Sequence, residues 1–137
     1  IQIYEDTGKG FSEEQSFFPE EDGEQLVRTD GGGVELSVRI PRGRSALRID
    51  PCSHACLIYI KRISWNGEEV TLKGKQIQMN GFRIGEDVYA FPTEDPNITL
   101  SLWGLSGEEE NHLEAVMEVT RMPIETVKHL QKRGLFS

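Results

Sequence analysis

The alternation of apolar and polar positions predicts β-strands through most of the chain. Between residues 34 and 40 four apolar side chains alternate strictly with polar ones, which is the period of a strand with one buried face. A second apolar run covers residues 46–49, and the longest β-branched and aromatic run covers residues 57–65, interrupted by Lys61 and Arg62. Short strands separated by turn signals favour an antiparallel β-sandwich or jelly roll, and we predict that fold class.

Two Asn-Gly pairs predict tight hairpins, because both central positions of a two-residue hairpin turn favour positive φ. The first pair, Asn66-Gly67, would lead from the run at 57–65 into a strand at residues 70–72. The second, Asn80-Gly81, would join the two short apolar runs on either side of it. The last predicted strands follow at residues 88–91 and 98–103.

Beyond residue 104 the spacing becomes helical, so we predict a β-sandwich domain over residues 1–104 and a C-terminal helical segment over residues 105–137. Ser106 and Glu109 have the spacing of a capping box, and Pro123 would separate two helices. The segment would pack on the sandwich or lead to a neighbouring domain. Its apolar positions recur three or four apart, at Leu113, Val116, Met117, Ile124, Val127 and Leu130.

Composition and charge narrow the classes of partner. The 137 residues suffice for one domain with its own core, and 23 acidic against 15 basic side chains give a formal net charge of −8. Such a surface repels phosphate backbones and anionic lipids, so we expect neither nucleic acid nor membrane contact. The chain begins without methionine or a signal segment, and we expect it to be a piece of a longer protein.

The candidate chemistry is sparse. Cys52, His54 and Cys56 lie close together, but zinc sites usually need four ligands and the chain has no second such cluster, so we predict no metal and no cofactor. Three residues between two cysteines would make a strained bridge, which favours free thiols and a cytoplasmic location. Nucleophile-elbow, phosphate-loop and dinucleotide motifs are missing, and the triple glycine at 31–33 precedes a strand, which predicts a flexible turn. We therefore predict no enzyme activity and no catalytic residue in this chain.

Aromatic residues beside polar ones are the remaining candidates for binding. Sandwich domains that bind sugars display a Trp or Tyr ring with hydrogen-bonding side chains next to it. Trp65 stands before a hairpin turn, close to Arg62, and Tyr4 stands two residues before Asp6. We predict these four as the glycan-binding residues, the alternative for each aromatic being ordinary core or edge packing. For Trp103, which ends an apolar run, we predict the core.

Two separate segments resemble a known kind of module. Residues 3–14 combine an extended stretch, an acidic turn and the sequence Gly-Phe-Ser-Glu-Glu, and residues 47–51 read Leu-Arg-Ile-Asp-Pro. This pair resembles small β-sandwich accessory domains of bacterial glycosyltransferases that make cell-surface polysaccharide, the rhamnan-synthesis type included, over about residues 1–70. The matched positions are Tyr4, Asp6, Gly8, Gly10, Phe11, Ser12, Glu13, Leu47, Arg48, Asp50, Pro51, Ile60 and Ile63.

The resemblance implies a non-catalytic, carbohydrate-binding-like module beside a glycosyltransferase domain. It would lie in the bacterial cytoplasm, with the parent protein supplying any membrane association. Its role would be to bind glycan or to position the catalytic domain. The alternative is a protein-interaction or spacer domain without sugar binding, in which the helical segment with its apolar stripe and the strand edges would be the working surfaces.

Overall fold

The computed structural model describes residues 1–19, 25–72, 74–102 and 110–133. This part of the chain is mainly β and forms two antiparallel sheets. None of its helices is both long and apolar enough to span a bilayer. The elements are β1 (Gln2–Asp6), β2 (Ser16–Phe17), β3 (Leu26–Thr29), β4 (Gly33–Pro41), β5 (Ala46–Asp50), β6 (Cys56–Trp65), β7 (Glu68–Glu69), β8 (Ile77–Met79), β9 (Phe82–Gly85), β10 (Val88–Phe91), β11 (Ile98–Ser101), β12 (Glu110–Arg121) and α1 (Ile124–Lys132).

The chain crosses repeatedly between the two sheets. The smaller sheet has the strand order β2-β1-β5-β11-β8, and the larger has β3-β4-β12-β6-β10-β9, with β7 paired to β6. One hydrophobic cluster contains inward-facing residues of both sheets, so the sheets share a single core. From the smaller sheet it includes Ile3, Leu47, Ile49, Ile98 and Leu100, and from the larger Val38, Ile40, Ile60, Ile63 and Leu113.

The strands with strict alternation form as predicted. In β4 the four alternating apolar residues are buried while Glu35 and Arg39 are exposed. The first Asn-Gly turn also forms: Asn66 and Gly67 have φ values of 52° and 82°, and Trp65 pairs with Glu68 across the turn. The returning strand is β7 alone, so the prediction of a strand at residues 70–72 was wrong.

The charged interruption in the longest run is a β-bulge. In the pairing of β6 with β12, Arg62 lies opposite Val116 and Ile60 opposite Met117, so Lys61 has no counterpart. At the bulge two successive side chains, Lys61 and Arg62, are exposed, and the alternation before it, from Cys56 to Ile60, is interrupted. Both halves of β6 thereby keep their apolar residues in the core.

The helical prediction for residues 110–121 was wrong, because this stretch is the strand β12 and pairs with both β4 and β6 inside the larger sheet. Its inward-facing positions have a period of two, but polar Asn111 and small Ala115 break the apolar alternation in the sequence. Of the described residues after 104, only Ile124–Lys132 are helical. Ser106, Glu109 and Trp103 lie outside the described residues.

The second Asn-Gly pair does not make a hairpin. Neither Asn80 nor Gly81 has a positive φ, and the strands on either side of them lie in different sheets. The Asn80 side chain instead holds the loop before β11: its Nδ2 donates to the Asp95 carbonyl at 2.7 Å, and its Oδ1 accepts the Asn97 N–H at 2.8 Å. The pair therefore forms a corner at which the chain passes from one sheet to the other.

We expect Gly81→Ala to lower the free energy of unfolding by about 1–3 kcal/mol. A Cβ at this position would lie 2.8 Å from the Ala90 carbonyl oxygen and 2.8 Å from the ring of Phe91, which is fully buried. The matched control is Gly85→Ala, whose Cβ would meet nothing closer than Val88 at 3.7 Å. Urea denaturation of both variants measures the difference, and equal midpoints would contradict the packing described for this corner.

Candidate functional site

A polar cluster covers the face of the smaller sheet that points away from the core. Ile3, Leu47 and Ile49 face the core, so the residues that alternate with them in β1 and β5 face outward. The strand register sets Tyr4 opposite Arg48, and Gln2 opposite Asp50. We call these four residues, with Phe11 and Glu13 from the loop between β1 and β2, the outer-face cluster.

Ring stacking and hydrogen bonds hold the loop on the sheet. The Arg48 guanidinium lies 4.1 Å from the centre of the Tyr4 ring and 5.4 Å from that of Phe11, and the two rings meet edge to face at 6.5 Å. The Tyr4 hydroxyl donates to Glu13 Oε1 at 2.9 Å, and Gln2 Nε2 donates to Glu13 Oε2 at 3.0 Å. Both carboxylate oxygens of Glu13 are therefore fixed.

The protonation of these groups follows from the same contacts. Burial and the hydrogen bond to Glu13 raise the pKa of Tyr4 above its usual value. The hydrogen bonds from Gln2 and Tyr4 lower the pKa of Glu13. At neutral pH the cluster thus contains a neutral phenol donor and an ionised carboxylate acceptor.

Arg48 and Asp50 form a bidentate ion pair, with Arg48 Nε and Nη2 donating to the two Asp50 oxygens at 2.8 and 3.0 Å. Burial raises the pKa of Asp50, and the bonds from Arg48 offset only part of this effect, while the nearby charge of Asp95 adds to it. The ion pair fixes the Asp50 carboxylate in place near the charge of Asp95.

A cleft of about 330 Å³ opens beside this cluster, and we call it the Phe18 cleft. The Phe18 side chain is 45% exposed at its wall. The backbone of Asp95 is fixed by Asn80, as described above, so the acidic wall is anchored to the corner between β8 and β9. The lining residues are Ile1, Gln2, Tyr4, Phe18, Asp50, Cys52, Ser53, Glu94 and Asp95.

The four predicted glycan-binding residues do not come together. Tyr4 and Asp6 lie on β1 in the smaller sheet, whereas Arg62 and Trp65 lie on β6 in the larger one. Trp65 is only 4% exposed and belongs to the core, so the prediction of a displayed ring was wrong: its side chain follows the inward alternation of β6 after the bulge. Arg62 is exposed.

The two residues on β1 have structural roles in this geometry. Tyr4 borders the cleft but is only 7% exposed, with Arg48 stacked over its ring. Asp6 Oδ1 accepts the N–H groups of Gly8 and Gly10 at 2.8 and 2.9 Å, which fixes the acidic turn. Phe18 was missed because the sequence gives two adjacent phenylalanines, and only the fold shows that the second is the exposed one.

A second polar row lies on the outer face of the larger sheet. Ser37 Oγ is 2.6 Å from His112 Nε2, and His112 Nδ1 is 3.4 Å from Glu114 Oε1. This order of nucleophile, base and acid is the one that acyl-transfer enzymes use. However, the neighbouring backbone donors are engaged, since the Ser37 N–H bonds the Gln25 carbonyl and the His112 N–H bonds Asn66 Oδ1. The row thus does not offer these N–H groups to an oxyanion.

Within residues 1–19, 25–72, 74–102 and 110–133, no three His, Cys, Asp or Glu side chains are arranged to hold a metal ion.

Comparison with known proteins gives no relative: no protein-family model, no curated protein and no solved structure matches the chain.

Proposed function

We propose that this chain is a non-catalytic β-sandwich or jelly-roll module of a bacterial glycosyltransferase for surface polysaccharide, and that it binds neutral glycan in the Phe18 cleft. The proposal joins the resemblance of residues 3–14 and 47–51 to the geometry of the cleft beside them. The shared core of the two sheets is compatible with a sandwich. In this proposal the module holds the glycan for a neighbouring catalytic domain.

The observation that carries the proposal is an exposed aromatic ring next to several polar groups in one cleft. A sugar ring can stack its C–H face on Phe18 and donate its hydroxyls to the carboxylates of Asp50 and Asp95, while the Gln2 amide adds a polar contact. Because Asp50 is already held by Arg48, its oxygens are fixed in place before the ligand arrives. Such preorganisation lowers the cost of binding.

The charge of the cleft indicates which glycans it takes. Asp50, Glu94 and Asp95 line it, and Arg48 next to the cleft is paired with one of them. The negative excess disfavours sugars that carry carboxylate or phosphate groups. Neutral saccharides, deoxy sugars such as rhamnose included, are the expected ligands.

The protein-interaction alternative keeps only part of the surface that was predicted for it. Leu113 is fully buried within the strand β12, so this half of the predicted apolar stripe is not a helix face, whereas Ile124 and Val127 lie in α1. The exposed apolar residues of the larger sheet lie on strands that are not neighbours, Val27 on β3, Tyr59 on β6 and Ile84 on β9. Among the residues that the structure describes, these three side chains do not form one continuous patch, and we favour the glycan proposal because of the cleft described above.

We expect Phe18→Ala to weaken the binding of neutral oligosaccharides about tenfold or more, which corresponds to ~1.4 kcal/mol. Tyr59→Ala is the matched control, because Tyr59 is 43% exposed against 45% for Phe18 and lies on the other sheet. Calorimetric titration with rhamnose-rich fragments, and with uronic-acid fragments for comparison, measures the effect. Equal affinities of the two variants would show that the sugar does not bind in this cleft. Absence of binding by the folded wild-type protein would favour the spacer role.

A further inference from the structure

Two thiols meet at the rim of the Phe18 cleft. Cys52 follows β5 and Cys56 begins β6, and their sulfur atoms lie 3.2 Å apart. Cys56 is fully buried, whereas Cys52 is partly exposed and lines the cleft. One sulfur is therefore open to a reagent from solvent, and the other is in contact with it from the core side.

The surroundings favour the thiolate of the accessible cysteine. The hydrogen bond with Cys56 lowers the pKa of Cys52 to about 6, and the same bond raises the pKa of Cys56. Cys52 also borders a second cleft of about 360 Å³, whose lining includes Arg28, His54 and Arg121. The two arginine side chains in this lining attract anionic reagents to the cleft.

We infer that Cys52 and Cys56 form a redox-active dithiol pair that exchanges with low-molecular-weight disulfides. The Cys52 thiolate attacks one sulfur of the reagent disulfide, which breaks the reagent's S–S bond, forms a mixed disulfide at Cys52 and releases one thiolate. Cys56 then gives its proton to solvent and attacks the Cys52 sulfur. This forms the Cys52–Cys56 bond and expels the second thiolate, so the two protein thiols are oxidised and one reagent disulfide is reduced to two thiols.

The geometry suits a labile bond and not a permanent one. The sulfurs need to approach by only about 1 Å to reach bonding distance. The loop that the bond would close is short, and strain in such a closed loop makes the disulfide easier to reduce. The pair is thus expected to respond to the redox state of its surroundings. This inference goes beyond glycan binding and does not depend on it.

The test uses the whole chain, oxidised glutathione and intact-mass spectrometry. After incubation the wild-type protein should lose the mass of two hydrogens and keep no adduct. Cys56→Ala should keep one glutathione at position 52, because no second thiol resolves the mixed disulfide. Cys52→Ser should stay unmodified while folded and react only in denaturant, since Cys56 is buried.

The pH dependence of alkylation adds a readout that needs no variant. Only the thiolate reacts, so the rate of Cys52 alkylation by iodoacetamide should rise with pH, reach half its maximum near pH 6 and level off above that. A half-maximum near the usual cysteine value, a stable adduct on the wild-type protein, or native reaction of Cys52→Ser at the wild-type rate would each overturn the inference. The wild-type results stand even where a variant fails to fold.

Discussion

Replacing Gly32 with alanine is expected to lower the free energy of unfolding by about 3 kcal/mol or more. Gly32 has a φ of +82°, and a Cβ there would lie 2.3 Å from the carbonyl oxygen of Val119. That oxygen belongs to the backbone of β12, which is paired at this residue with Ile58 of β6 and cannot easily yield. The chain therefore needs glycine at this position for two reasons, its backbone conformation and the close approach to β12.

The neighbouring Gly31 separates these two effects. Its φ is +77°, but nothing lies within 4 Å of the position of its Cβ. Gly31→Ala should therefore cost only the strain of the left-handed conformation, about 1–2 kcal/mol. Urea denaturation of both variants gives the cost of the contact as their difference. Equal destabilisation by the two substitutions would contradict the packing of this turn against β12.

Trp65→Ala is expected to destabilise the protein by about 3–5 kcal/mol, because it empties a large site in the core. The ring is 4% exposed, and Trp65 lies opposite Leu113 in the pairing of β6 with β12. Trp65→Phe, which keeps an apolar ring, is the control and should cost clearly less. Thermal and urea denaturation measure both effects.

Sugar binding by the Trp65 variants separates the structural role from the predicted one. Under conditions where Trp65→Ala remains folded, its affinity for saccharide should equal that of the wild-type protein. A Trp65 variant that keeps wild-type stability but loses affinity for saccharide would instead support the prediction that the Trp65 ring is displayed and binds glycan.

Local patterns predicted the strands whose buried face is uniformly apolar. The alternation in β4 and the β-branched run in β6 can be recognised in the sequence alone, and Asn66-Gly67 forms the expected turn. β12 was mistaken for a helix because Asn111 and Ala115 occupy two of its inward positions. Its strand conformation depends on pairing with β4 and β6, partners far away in sequence, which no local pattern contains.

The site was harder to predict than the fold, because it also depends on contacts between residues that are far apart in the sequence. Tyr4 was recognised as a candidate, but its contacts with Glu13 and Arg48 depend on how β1 lies against β5 and on where the loop folds. Residues 3–14 and 47–51, which were singled out as a pair in the sequence, thus contribute to one cluster. Asn80-Gly81 is the opposite case: its sequence predicted a hairpin, but in the fold the chain passes there from one sheet to the other.

The most direct test of the proposed function is a titration of the isotopically labelled protein with a neutral rhamnose-rich oligosaccharide, followed by NMR. The proposal predicts saturable shifts of the backbone amides at Gln2, Phe18, Asp50 and Asp95, and unchanged signals on the outer face of the larger sheet at Tyr59 and Glu114. Shifts confined to the larger sheet, or no saturable shift with any neutral saccharide, would contradict glycan binding in the Phe18 cleft.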